Sequence, residues 1–267
     1  MKTDTKIRLL TSRAVLFGSL LILSVSVHAA ETEVFKTSFE ATGSPAWASD
    51  AILTSTAVNG WIGNDNGTTL LGRITDTQAN TGSQSLRLYD NINGNSASAR
   101  YDLGDTLTQG YIEFSIKQAS GGNFYIYLSD TGTDATNFYL SLSNARVVNL
   151  NGQASATPDT STYTVTGWNT FRIYFDETTN TASVSLNGTS IVSIATGDAD
   201  ATKWQVGKIR LQAGASASQN TGAWFDDIRI VNTATPIPPI PEPSTHAILA
   251  GLGTLVLALA RGWRRQR

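Results

Sequence analysis

Between its two ends this chain can do chemistry only with carboxylates, amides, hydroxyls, aromatic rings and a few basic side chains. Its two histidines are His28 and His246, one near each terminus, it has no cysteine, and its single methionine is Met1. A Ser-His-Asp triad, a cysteine nucleophile and the usual His or Cys sites for zinc and copper are therefore excluded from the central region. Carboxylate chemistry, Tyr or Arg chemistry and oxygen-ligated calcium remain. A glycosidase needs two carboxylates about 5 to 10 Å apart across a cleft. Glu113 stands alone in an alternating segment, and Asp176-Glu177 falls where a turn is expected. The residue types favour binding over catalysis, and no catalytic residue is assigned.

The elements that position these groups are legible as strands. Tyr111 to Lys117, Phe124 to Leu128 and Phe138 to Leu142 alternate strictly between apolar and polar residues, so each predicts a strand with one buried face. Phe171 to Phe175, Ser183 to Leu186 and Ile191 to Ile194 continue the pattern, with Asn187-Gly188 as a tight hairpin turn. About a dozen strands, with no amphipathic helix between Thr32 and Thr233, predict an all-β fold of two packed antiparallel sheets, a jelly roll or related sandwich. Without cysteine no disulfide can staple it, so packing must stabilise it, with a bound ion as a further means.

The strand pattern also nominates binding residues. Opposite the apolar positions of the first three strands lie Tyr111, Glu113, Lys117, Tyr125, Tyr127 and Tyr139, expected to share a face. Of these, Tyr125, Tyr127 and Tyr139 are the candidate glycan-binding residues, since a sugar stacks its C–H face on a ring while its hydroxyls find polar partners. Trp47, Trp61 and Trp204, in loop-like surroundings, are alternative anchors, and the tyrosines could instead simply cover a sheet surface. In the last strand, parity places Trp224, Asp226, Ile228 and Ile230 on one face and Phe225, Asp227 and Arg229 on the other. A carboxylate at Asp226 among apolar neighbours needs a cation or hydrogen-bond donors.

Short segments extend this reading. Thr37-Ser38-Phe39-Glu40, Thr81 to Leu88 and Trp224 to Ile230 resemble segments of sugar-binding and concanavalin A-like sandwiches of exported proteins. Trp168 to Asp176, followed by Leu186-Asn187-Gly188, is similar to the penultimate hairpin of laminin-G-like sandwiches. The resemblance implies that the first and last strands are neighbours and that Glu40, Asp226 and Asp227 hold a structural calcium, the one cofactor expected. The Glu-x-Asp-x-x-Glu strand of concanavalin A-like glucanases does not occur.

Both ends read as addresses. Lys2, Lys6, Arg8 and Arg13 precede an apolar stretch from Ala14 to Val27, and Val27-His28-Ala29 suits signal peptidase, so residues 1–29 form a signal peptide with cleavage after Ala29. At the other end Pro241, Glu242, Pro243, Ser244 and Thr245 precede an apolar run over 247–260 and the basic residues Arg261, Arg264, Arg265 and Arg267. Such a run covers about 21 Å of a hydrocarbon core about 30 Å thick, a short span whose arginines stay on the cytoplasmic side. The arrangement resembles the PEP-CTERM sorting signal of Gram-negative bacteria that make exopolysaccharide. It implies transient processing by an exosortase and an anchor in the membrane before that step.

The expected organisation is thus a signal helix over 1–29, a β-sandwich over 30–232, a proline-rich linker over 233–240, and a sorting signal over 241–267 containing a short transmembrane helix. Between the two targeting ends lie 11 basic and 19 acidic residues, a net charge of −8. That balance repels phosphate backbones, so no nucleic-acid partner is expected. The function expected is that of an exported, exosortase-processed cell-envelope or extracellular-matrix protein whose sandwich binds exopolysaccharide. A structural surface or biofilm protein without a sugar site is the alternative, and a polysaccharide-degrading enzyme is the third.

Overall fold

A computed structural model describes residues 31–63, 72–90, 96–119, 123–131, 136–143, 146–194, 204–213 and 221–233. The expected signal helix, the sorting signal and nearly all of the linker lie outside the described residues. Every described regular element is a strand. There are fifteen, rather than about a dozen: β1 (Thr32–Thr37), β2 (Trp61–Gly63), β3 (Gly72–Thr75), β4 (Ser85–Asp90), β5 (Ser98–Leu107), β6 (Gln109–Gln118), β7 (Phe124–Ser129), β8 (Thr136–Leu142), β9 (Val148–Leu150), β10 (Ala154–Ala156), β11 (Asn169–Asp176), β12 (Thr181–Leu186), β13 (Thr189–Ile194), β14 (Val206–Ala213) and β15 (Thr221–Asn232).

They form two antiparallel sheets. One has the order β13-β12-β11-β6-β15-β4-β3 with β1 beside β15, and the other β10-β9-β8-β7-β14-β5-β2. β15 organises the first sheet because it is long enough to serve three neighbours. It pairs with β6 along one edge; on the other its first half pairs with β4 and its second with β1. First and last strands are therefore adjacent, as expected.

The alternating residues close the core between the sheets. Ile112, Phe114, Ile116, Phe171, Ile173 and Phe225 face Phe124, Ile126, Leu128, Phe138 and Leu140 in one buried cluster, where a fully buried side chain of this size contributes about 1.5 to 3 kcal/mol. Phe114 and Phe171 stack with centroids 5.7 Å apart. The Asn187-Gly188 turn forms as read, with φ of 48° and 83°, the left-handed pair that matches the twist of a two-residue hairpin.

Three expectations need correcting. The six residues expected on one face are divided, because β6 belongs to the first sheet and β7 and β8 to the second. Alternation reports which residues share a strand face, not which strands share a sheet. Trp47, Trp61 and Trp204 are not surface anchors: they are 2%, 0% and 2% exposed, with Trp61 packed on Phe39 and Tyr101 and Trp204 edge-on to Phe138. The parity of the last strand also breaks. Asp226 and Arg229 oppose Ser115 and Glu113, so β15 carries one extra residue, and Asp227 takes the left-handed φ of 49°. This bulge lets Phe225, Ile228 and Ile230 all enter the core. Asp226 accordingly lies opposite Ser115 and against Asn80 and Thr81, not in a row with Ile228 and Ile230.

Candidate functional site

The outer face of the seven-stranded sheet gathers the three nominated tyrosines. Cross-strand register runs Ile62, Arg100, Arg210, Tyr127, Tyr139 in one row. The next row holds Gln212, Tyr125, Ser141 and Asn149. Tyr125 and Tyr127 stack with centroids 5.5 Å apart and planes 14° from parallel, and Tyr139 stands 6.4 and 6.0 Å from them. The Arg210 guanidinium lies 4.2 Å from the Tyr127 ring centre, which orients both side chains through a cation–π contact. Burial pushes the Tyr127 hydroxyl up, against the opposing charge of Arg210, and Tyr125 and Tyr139 add to the rise. It therefore remains a neutral donor at neutral pH. Three half-buried rings flanked by amides, hydroxyls and guanidinium groups can stack on a sugar and bond its hydroxyls at once.

Lys208-Ile209-Arg210-Leu211-Gln212 carries its polar residues at alternate positions, a signal that marks Arg210 as outward-facing. Its position beside Arg100 and Tyr127 depends on pairings between distant segments and is not readable in that stretch.

Glu40, Asp226 and Asp227 all bind one loop, that between β3 and β4. Asp226 Oδ2 accepts the backbone N–H groups of Asn80 and Thr81 at 2.8 and 3.2 Å, and its Oδ1 accepts that of Asp227 at 2.8 Å. Asp227 accepts from the Thr81 hydroxyl at 2.5 Å and the Asn80 amide at 2.8 Å. Glu40 accepts the N–H groups of Ser83 and Gln84 and the Ser83 hydroxyl at 2.9 to 3.0 Å. Each of the six carboxylate oxygens has a donor. Among the described residues no three His, Cys, Asp or Glu side chains gather as a metal-binding group.

The two sides of this loop titrate in opposite directions. Asp226 is fully buried, and burial, with the neighbouring Asp227 charge, pushes its carboxyl up to about 6 against three backbone N–H bonds. For Glu40 burial also raises the pKa, but the Gln84 and Ser83 donors outweigh it and hold the carboxyl below its ordinary value.

Gly82 closes the clasp around Glu40. It has φ of +65°, and a Cβ there would lie 2.3 to 2.8 Å from the Glu40 carboxylate. Gly82→Ala is therefore expected to destabilise the fold by about 2 kcal/mol, from left-handed strain and a displaced carboxylate. A urea midpoint lowered at unchanged slope would record it.

On the outer face of the other sheet, Arg172 Nε donates to Glu113 at 2.7 Å and Arg172 also donates to the Tyr174 hydroxyl at 2.9 Å. Arg172 and Tyr174 were not singled out from the sequence. A depression of about 530 Å³ lies against Glu113, Arg172, Tyr174 and Asn187. Asp176 caps its own turn by accepting from Thr178 and Thr179, the solvated role expected of it.

Sheet topology and core together define a jelly-roll or concanavalin A-like β-sandwich with a polar, aromatic outer face. The chain belongs to the family described as 3-keto-alpha-glucoside-1,2-lyase-like domain, which matches residues 55–231. Residues 239–266 match the PEP-CTERM protein-sorting motif, which marks an exported protein with a C-terminal sorting segment. Among solved structures the fold is similar to "Cellulose induced protein, Cip1", with TM-score 0.51 and 17% identity over 73% of this chain and 96% of that one. It is also similar to a "Sialidase", with TM-score 0.51 and 10% identity over 66% of this chain. The match spans only 17% of the sialidase chain. No curated protein sequence matches.

Proposed function

We propose that this is an exported, exosortase-processed protein of the Gram-negative cell envelope or extracellular matrix, and that its sandwich binds exopolysaccharide without cleaving it. The supporting observation is the convergence of Tyr125, Tyr127 and Tyr139 into one cluster beside Arg210 on a regular sheet face. Binding of the full chain to neutral and acidic polysaccharides, by affinity electrophoresis or titration calorimetry, tests it. Retention by at least one polymer is expected, and failure with all of them sinks the reading.

The family's name and the depression beside Glu113, Arg172 and Tyr174 favour a lyase-like enzyme as the second reading. Against it, Glu113 is already held in an ion pair with Arg172, while Glu40, Asp226 and Asp227 anchor a loop and Asp176 caps a turn. Release of unsaturated or shortened saccharides on prolonged incubation would establish the enzyme instead.

Calcium belongs to this proposal as a stabiliser. Glu40, Asp226 and Asp227 have no basic partner among the described residues, and the buried amide oxygen of Gln84, next to Glu40's donors, has no hydrogen-bond partner. These are hard oxygen donors, the chemistry calcium takes, and an ion bound there would have to exchange some of the hydrogen bonds that now hold the loop for coordination by carboxylate, amide and carbonyl oxygens. Millimolar calcium is expected to raise Tm by about 3 °C or more over EDTA at pH 7. The rise should shrink at pH 5, where protons compete with calcium for the Asp226 carboxylate. An unchanged Tm at both pH values would mean that hydrogen bonds alone hold the loop.

A further inference from the structure

We propose that the depression on the outer face of the other sheet is a second, independent saccharide site, which takes the end of a neutral sugar chain. Cross-strand register sets its floor: Glu113, Arg172, Ser185 and Ser190 are successive partners across β6, β11, β12 and β13. The last of them is there because of a bulge. Val184 pairs with Val192, so regular pairing would set Ile191 against Ser185, but the register shifts and Ser190 takes that place. A hydroxyl thus replaces an apolar side chain in the row, the kind of re-aiming for which bulges are used beside functional sites.

Some polar groups of the row are held in place, and others are left to act. Arg172 is held: its Nε donates to Glu113 Oε2 at 2.7 Å, it donates to the Tyr174 hydroxyl at 2.9 Å, and its guanidinium lies 4.4 Å from the Tyr111 ring centre. Both of its contacts to Glu113 go to Oε2, and Glu113 Oε1 has no hydrogen bond among the described residues. The Tyr174 hydroxyl accepts from Arg172, so its own proton remains to be donated. The Ser185 and Ser190 hydroxyls have no partner among the described residues, and each can both donate and accept. Tyr174 is 39% exposed and offers a ring edge and face beside them. A sugar answers this set, because its hydroxyls bond the carboxylate oxygen, the phenol and the serines while its C–H face lies on the ring. Glu113 and Arg172 cancel each other's charge, which selects a neutral sugar.

The shape selects a chain end. The depression of about 530 Å³ lies within the roughly 300 to 1,000 Å³ of small-molecule pockets. Asn187 accepts the Thr170 N–H at one end of the β11 row, and Tyr174 stands at the other. Across the strands the site opens only at β13, the outermost strand of its sheet. It is separate from Tyr125, Tyr127 and Tyr139, which lie on the other sheet. A long polymer has few ends, so its retention remains a property of the tyrosine face.

The test titrates the full chain in detergent with maltotriose, cellotriose, mannotriose and galactotriose by ligand-observed NMR. At least one is expected to bind with Kd on the order of 1 mM. The double variant Ser185→Ala, Ser190→Ala should weaken it about tenfold at unchanged Tm, through the loss of two hydrogen bonds. Tyr174→Ala should weaken it by a similar factor, and Tyr127→Ala should leave it as in the wild type. In Tyr127→Ala, a long polymer of the same sugar should displace the trisaccharide only in proportion to its chain ends. Displacement equal mass for mass would put the middle of a chain in the depression and overturn the assignment. Binding that persists unchanged in the double serine variant and in Tyr174→Ala, or that is lost in Tyr127→Ala, would overturn the site. If none of the four binds, this inference fails, while retention on polysaccharides still decides the reading of the tyrosine face by itself.

Discussion

Asp226→Ala is expected to lower stability by about 3 kcal/mol, a large share of the roughly 5 to 15 kcal/mol available to a domain. Three backbone N–H groups, from Asn80, Thr81 and Asp227, would lose their acceptor. An unsatisfied buried donor costs about 1 to 3 kcal/mol, and relief from burying a charge offsets part of the sum. Asp226→Asn keeps one acceptor oxygen and should cost about 1 kcal/mol. The two variants separate the loss of bonds from the loss of charge.

The same residue sets a pH dependence. Its carboxyl titrates near 6 in the fold against an ordinary value of 3.8. The folded state therefore holds the proton more tightly, and this contribution is present in full below about pH 4. It falls away as pH rises to about 6 and is constant above. At about 1.4 kcal/mol per unit, the change is about 3 kcal/mol. Glu40 and Asp176, whose carboxyls are held low, act in the opposite sense and lose their contribution as pH falls. The informative quantity is thus the difference between wild type and Asp226→Asn, measured in EDTA by urea midpoints from pH 4 to 7. Parallel profiles for the two proteins would show that Asp226 ionises as an ordinary carboxylate.

Tyr127→Ala is expected to weaken glycan binding about thirtyfold, the loss of an aromatic contact worth about 2 kcal/mol. Tyr127 is the middle of the cluster, stacked on Tyr125, in ring contact with Tyr139 and covered by Arg210. Its removal leaves the two outer rings without a common support. Tyr127→Phe keeps the ring and should lose only a few-fold. Tyr174→Ala, on the other sheet's outer face, should leave binding unchanged. Wild-type affinity in Tyr127→Ala, for a polymer the protein does bind, would move the sugar site off this face.

The hairpin over 181–194 shows how much can be read locally. Alternation in Ser183 to Leu186 and Ile191 to Ile194, with Asn-Gly between, specifies two strands and their turn within a short stretch of chain, but not the full register, which slips between Ser185 and Val184 so that Val184 pairs with Val192. Tyr125, Tyr127 and Tyr139 were likewise recognisable as outward-facing from their own strands. The tryptophans were not legible, because burial at Trp47 and Trp61 comes from Phe39 and Tyr101, which lie outside their local stretches. The bulge at Asp226-Asp227 was hidden for a related reason. A strict two-residue period predicts the wrong face once one residue is inserted, and the insertion is visible only against the partner strand.

From the sequence alone came the strand pattern, the exclusion of histidine and cysteine chemistry from the domain, and the sorting address at the C-terminus. Each depends on composition or on neighbours a few residues apart. Only the tertiary structure decided that β6 and β7 lie in different sheets, that the Glu40, Asp226 and Asp227 carboxylates grip one loop, and that Arg100 faces Arg210 beside the tyrosines. Those are outcomes of pairing between distant segments, chosen by how the whole set of apolar faces closes into one core.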